Sequence, residues 1–311
     1  MGGAGGSGIG KGLDRERLAR LRTEAEAQAK DAAQAGEVNR YLRDTLAAIG
    51  QRDVGKVQDR LDEVERALGS DTEGMETTIF GGSVAKHTYV DGLSDIDSLV
   101  LLDAGSLEGK TPATLLEEFA RSLRIRIPRA EVENIEAGTL AVTVKYRDGM
   151  EVQLLPAYRS GSRFSIADAA GSGWRVIDPS GFARRLTNAN KRLAGMLVPT
   201  IKLAKSVIGL FPERRRISGY HVEALAEKAF KGYQGERTPQ AMLKHFFGRA
   251  ATLVRTPIVD QTGQSTRVDA ELGTRNSLER RIVADSFARV ARRMRSANSI
   301  EQWRDIIEGQ S

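Results

Sequence analysis

Asp95 and Asp97 stand one residue apart, directly before the apolar run Ser98–Leu102, and Gly82-Ser83 lies twelve residues upstream of the pair. On a strand alternate side chains face the same way, so both carboxylates share a face. Two like charges so close repel each other, and both stay ionised only with a cation between them. Carboxylate oxygens are hard ligands that suit Mg²⁺, an ion that also prefers phosphate and water oxygens. Glycine lets backbone N–H groups approach a phosphate closely, and a serine hydroxyl adds a further donor. Lys86, one turn further on, is placed to reach the same phosphates. Alone, Gly-Gly-Ser is a turn and Asp-x-Asp a solvated pair. In this order, before an apolar strand, they predict phosphoryl transfer. Two divalent ions (Mg²⁺ or Mn²⁺) about 4 Å apart would hold the attacking hydroxyl and the leaving oxygen.

The elements around this pattern are legible in outline. "TTIF" (77–80) predicts a short strand and "SDIDSLVLLD" (94–103) a longer one. "TLAVTVKY" alternates Leu140, Val142, Val144 and Tyr146, Asp148-Gly149 makes a tight hairpin turn, and "MEVQLLPA" is the partner strand. Thr111-Pro112 starts a helix with a polar cap and a proline at its first position. Residues 13–68 are helical in pattern, with Val54, Val57, Leu61, Val64 and Leu68 recurring at three and four and a break expected near Gly36 or Gly50. This N-terminal arm is expected to pack against the later domain. After Asp178 the strands stop, and helices are expected over 181–210, interrupted by Pro199, and over 218–230, 238–254, 276–296 and 299–307. The fold class is α+β. Residues 1–12 form a flexible tail, 13–180 the N-terminal helices and a small mixed α/β core, and 181–311 an all-helical lobe.

Composition narrows the functions. The chain has 311 residues, enough for a substantial core, and no cysteine, which excludes disulfides, thiolate metal sites and a cysteine nucleophile. A net charge of +6 suits polyanionic ligands such as nucleoside triphosphates, though a surplus of this size is also that of an ordinary solvated surface. No run is apolar for the roughly 20 residues a membrane span needs, and "MGGAGGSGIGKG" lacks a signal peptide's apolar middle, so a cytoplasmic protein is expected. Gly5, Gly10 and Lys11 imitate a P-loop, but Gly12 replaces its Ser/Thr and no strand precedes it. His87, His221 and His245 have no metal-ligand spacing, and Arg214-Arg215-Arg216 is either a solvated loop or a phosphate contact.

Gly82-Ser83 followed at short range by Asp95-x-Asp97 resembles the signature of DNA-polymerase-β-like nucleotidyltransferases. That superfamily places a third acid just before an apolar-apolar-Pro-Ala run, and "EVQLLPAY" stands there. "PTIKLAKSVIGL" and "RRRISGYHVEALAEKA" resemble the helical lobe of the branch that holds cyclic GMP–AMP synthase, oligoadenylate synthase and the bacterial CD-NTases. The resemblance implies a polymerase-β-like core with a helical lobe. It assigns metals to Asp95 and Asp97, and triphosphate contacts to Gly82, Ser83, Lys86 and Lys202, with Lys205 on the same helix. Tyr220 would stack on a base. Gly219 replaces the usual serine before it, and Ser218, one place earlier, is the substitute hydroxyl on offer.

Gln153 occupies the third-acid position and is grouped with the substrate-binding residues. A neutral amide is a poorer Mg²⁺ ligand than a carboxylate. Either Glu151, two residues earlier on the same strand face, supplies the missing catalytic and metal-binding charge, or it is a rim residue and the third acid is lost. The implied activity is metal-dependent joining of nucleoside triphosphates, ATP among them, into a cyclic di- or trinucleotide, in anti-phage signalling. An effector protein would sense the product, a regulatory protein is a further expected partner, and neither membrane nor nucleic acid is required. Linear oligonucleotide synthesis, nucleotide transfer to RNA or protein, and a non-catalytic nucleotide-binding module are the competing readings.

Overall fold

The structure is a computed structural model that describes residues 9–51, 54–69, 75–80, 88, 90, 96–103, 107, 109–161, 163–168, 173–260 and 268–309. Gly82, Ser83, Lys86 and Asp95 lie outside the described residues.

The chain opens with α1 (Ile9–Gln51) and α2 (Val54–Gly69), followed by β1 (Met75–Phe80) and β2 (Ile96–Leu102). Next come α3 (Pro112–Arg126), β3 (Val132–Ala137), β4 (Val142–Tyr146), β5 (Glu151–Ser160), β6 (Arg163–Ala167) and β7 (Trp174–Ile177). The remainder is helical: α4 (Pro179–Arg192), α5 (Leu197–Gly209), α6 (Gly219–Ala229), α7 (Pro239–Leu253), α8 (Leu278–Ser296) and α9 (Ile300–Glu308). The α+β expectation holds.

The described strands form one sheet in the order β1-β2-β5-β4-β3, and the far end of β5 continues through β6 to β7. The β2–β5 pair is parallel and the others are antiparallel. The expected hairpin turn is present. Gly149 takes φ +86°, which suits glycine, and the Asp148 carboxylate accepts from the Met150 amide at 3.0 Å. Lys56 of α2 reaches the same carboxylate at 2.7 Å and pins the hairpin to the helix behind it.

Strand alternation divides the sheet into two faces. Val100, Leu102, Val142, Val144, Val152 and Leu154 pack on Val57, Leu61 and Val64 of α2 and on Leu116, Phe119 and Leu123 of α3. Leu99, Leu101, Leu155, Ala157, Ile166 and Ile177 form a smaller cluster on the opposite face. Positions 97, 151 and 153 fall in step with this second set, on the side that α2 and α3 leave uncovered.

A third core fills the helical lobe and includes Val38 and Leu42 of α1. The second half of α1 therefore belongs with the lobe. Its Asn39 side chain accepts from the Gln240 amide at 2.9 Å, and Tyr41 donates to Glu308 at 2.8 Å. The first half, residues 15–33, is exposed throughout.

Several expected boundaries shift. The helix begins at Ile9, inside the stretch read as a tail; α1 runs unbroken through Gly36 and ends at Gln51, so of the two expected breaks the one near Gly50 is present. An interior glycine costs only about 1 kcal/mol, too little to end a long helix. The break between α4 and α5 lies at 193–196, where Ala194 and Gly195 have positive φ, and not at Pro199. Pro199 sits in the first turn of α5, where its missing N–H has no helical partner to lose. The strands β3, β6 and β7 are additions to the expected set.

The lobe is organised around a buried charge. Arg280 is fully buried and donates to Asp269 at 2.7 Å and to the carbonyls of Val254, Gly273 and Thr274 at 3.0–3.2 Å. Burial alone would raise the Asp269 pKa, but Arg280 and the Ile258 amide more than offset it, so the carboxyl is held below its usual range. His221 Nε2 lies 3.4 Å from Asp269 Oδ2 without hydrogen-bond geometry, and neither ring nitrogen has a hydrogen-bond partner among the described residues. Burial pushes the His221 pKa down to about 4, Asp269 opposes that fall, and Arg280 adds to it.

The unfolded chain, with a histidine pKa near ~6.5, therefore takes up a proton before the folded one does. The contribution of His221 is complete above that value and is lost as pH falls toward 4. Urea unfolding at pH 7 and pH ~4.5 should show a loss of about 2–3 kcal/mol from this group. His221→Gln should lose less between the same two pH values. An identical pH dependence in the two proteins would refute the assignment.

Candidate active site

The parallel register of β2 against β5 sets the centre. Asp97 pairs with Gln153, and across the other edge of β5 Gln153 pairs with Thr143. The neutral amide thus occupies the strand position beside the described aspartate. Glu151 lies two residues earlier on β5, opposite Lys145 of β4, and the two side chains make an ion pair at 3.1 Å. Glu151 raises the Lys145 pKa through this bond. The structure therefore gives the carboxylate expected as a third acid to a cross-strand lysine, and the register neighbour of Asp97 is Gln153.

The helical lobe carries a further candidate cation. Lys202 is half-buried on α5, has no ion-pair or side-chain hydrogen-bond partner among the described residues, and has its pKa lowered by burial. A desolvated, unneutralised ammonium is a receptive site for an anion.

Lys205, one turn further on, was expected to join it, and the structure corrects that expectation. The residue is 3% exposed, and its ammonium bonds Glu223 of α6 at 2.9 Å and donates to the Thr88 carbonyl at 2.9 Å. The Thr88 hydroxyl donates to the same Glu223 oxygen. Committed on both sides and out of solvent, Lys205 is a tie between α5, α6 and the segment at Thr88.

The start of α6 is capped by Ser218, whose hydroxyl accepts from the His221 amide at 3.2 Å. Tyr220 follows; its hydroxyl donates to Asp260 at 2.8 Å and its ring meets Phe182 edge-on at a centroid distance of 5.1 Å. The sequence reading missed Glu223, Thr88 and Asp260. Their partners lie 18 to 135 residues away, and only a polar residue inside an apolar helix pattern, Glu223 in "HVEALA", signals one of them.

Residues 37–190 match the family model of the Second Messenger Oligonucleotide or Dinucleotide Synthetase domain, SMODS. That segment carries the SMODS domain of the CD-NTase nucleotidyltransferases. Solved structures agree at the level of fold. Escherichia coli MS115-1 CdnC with ATP superposes with a TM-score of 0.62 at 17% identity, covering 87% of this chain and 96% of that one. Bradyrhizobium diazoefficiens CdnG with GTP gives 0.61 at 16%, covering 82% and 89%. Vibrio cholerae DncV, a cyclic AMP-GMP synthase bound to a linear pppApG intermediate, gives 0.60 at 10%, covering 96% and 89%. No curated protein sequence matches significantly. Among the described residues no helix is long and apolar enough to cross a membrane.

Removing one partner of a buried ion pair strands the other charge, at a cost of about 3–5 kcal/mol. Lys205→Ala and Glu223→Ala should each lose stability on that scale in urea unfolding, and Lys205→Met combined with Glu223→Leu should recover most of it. A Lys205→Ala protein of unchanged stability with weakened triphosphate binding would restore the substrate-contact reading.

Proposed function

We propose that this SMODS protein joins nucleoside triphosphates, ATP among them, into a cyclic di- or trinucleotide second messenger and releases pyrophosphate. The observation that carries the reading is the β2–β5 register, which sets Asp97 beside Gln153 on neighbouring parallel strands. Lys202, half-buried and without an ion-pair partner among the described residues, supports it from the helical lobe.

The donor chemistry fits a hard divalent cation, since carboxylate and amide oxygens are the ligand types that Mg²⁺ and Mn²⁺ accept. Asp95 and Asp97 would hold two such ions, with the Gln153 carbonyl as a weaker oxygen donor. Among the described residues no group of three acidic or histidine ligands is assembled, in keeping with Asp95 lying outside them and with the Glu151–Lys145 pair. When bound, the ions would neutralise triphosphate charge and make the attacking hydroxyl more acidic.

The chain's own residues bind and orient. Gly82, Ser83, Lys86 and Lys202 would hold the donor triphosphate, with Tyr220 against a base and Ser218 fixing the helix start that carries it. The acceptor's ribose hydroxyl attacks the donor's α-phosphorus, the bond to the β-phosphate oxygen breaks and pyrophosphate departs. A second transfer of the same kind closes the ring. The product would act through an effector protein in anti-phage defence, and a regulatory protein is a further proposed partner.

Gln153 beside Asp97 favours one alternative, nucleotide binding without turnover. Incubation with all four triphosphates and Mg²⁺ or Mn²⁺, followed by mass analysis, decides between them. The expected result is a phosphatase-resistant cyclic product that disappears in the Asp95→Asn/Asp97→Asn double variant, with the melting temperature retained. Binding without pyrophosphate release supports the alternative, a phosphatase-sensitive product supports linear synthesis, and turnover persisting in the double variant would falsify the site.

A further inference from the structure

The first half of α1 is a helix without a core behind it. Residues 15–33 are exposed throughout, yet Leu18 and Leu21 stand one turn apart there, at 65% and 53% exposure. Helices draw most of their stability from packing an apolar face, so an uncovered stretch of this length lacks support. At about 100° per residue, Leu18, Leu21, Ala25, Ala29 and Ala32 fall within one quarter of the helix circumference.

That face is graded along its length. Its outer end carries the two leucines, and its inner end carries only alanines. Charge is graded the same way. Residues 15–22 hold Arg15, Arg17, Arg20 and Arg22 against Glu16, whereas residues 23–37 hold Glu24, Glu26, Asp31 and Glu37 against Lys30. A second helix running the opposite way answers both gradients, because bulky side chains then meet small ones and basic turns meet acidic ones. A parallel partner of the same sequence would set arginine against arginine. The segment that fits the antiparallel description is α1 itself, and a two-fold axis supplies it.

We propose that the outer half of α1 is a self-association arm, which pairs antiparallel with the same segment of a second copy about a two-fold axis near residues 23 and 24. In that arrangement Leu21 lies opposite Ala25 of the second copy, and Arg17 opposite its Asp31. Residues 15–33 reach about 28 Å, a short contact of the weak, transient size class, so single chains and pairs exchange readily. The proposal does not depend on turnover or on bound nucleotide.

Sedimentation equilibrium of the full chain over a concentration series should show a monomer–dimer equilibrium that weakens between ~0.05 M and ~0.5 M salt. Leu18→Gln with Leu21→Gln replaces exposed side chains by good helix formers, so the fold should persist, and melting by circular dichroism checks this. This variant should associate about tenfold more weakly. The chain has no cysteine, so introduced ones report orientation. Under mild oxidation a mixture of Arg17→Cys and Asp31→Cys proteins should form the disulfide-linked heterodimer, and Arg17→Cys alone should not crosslink to itself. A chain that stays monomeric throughout overturns the proposal, as does a dimer that the leucine variant leaves intact or that salt does not weaken. Crosslinking of Arg17→Cys alone as fast as the mixture indicates a parallel pair and also overturns it.

Discussion

One buried ion pair ties two helices of the lobe to Thr88, in the connection between β1 and β2. Lys205 and Glu223 face each other at 2.9 Å, and both are almost wholly removed from water. Such a pair is not a large source of net stability, because desolvating two charges cancels much of their attraction. What it provides is geometric. Neither partner can withdraw without leaving a bare charge in the interior, and both are bonded to Thr88. Thr88 is thereby fixed against α5, whose next turn back carries Lys202.

The helical lobe repeats the device at Asp269, Arg280 and His221. Arg280 is bonded mostly to backbone carbonyls, those of Val254, Asp269, Gly273 and Thr274, so one side chain from α8 joins the end of α7 to residues 269–274. His221 comes from α6, directly after Tyr220, so the same network reaches the helix start that presents the tyrosine. Polar bonding in the interior costs little when satisfied and a great deal when half-satisfied, which makes both nodes intolerant of single changes.

Local chemistry was legible where it is local. Asp148-Gly149 specified its turn, and Thr111-Pro112 specified a capped helix start that the structure repeats at Asp178-Pro179 and Thr238-Pro239. The "LLPA" run placed Gln153 on a strand, and the register set it beside Asp97. Strand β3 was invisible because its burial does not alternate, and β6 and β7 are only five and four residues long. Lys205 was misread because its spacing from Lys202 suggests a shared helix face, while its partner Glu223 lies on another helix. Glu151 is similar: the competing claim of Lys145 arises only once the hairpin sets the two opposite each other.

The 43 residues of α1 span roughly 65 Å, and only the latter part is packed. Residues 15–33 gain nothing from a core, so their helicity rests on alanine-rich propensity and exposed pairs such as Arg22–Glu26 at 3.0 Å. One continuous helix thus joins two regimes of protection. Backbone amides of the outer turns should exchange with deuterium through frequent local fraying. Those around Val38 and Leu42 should exchange only when the lobe itself opens.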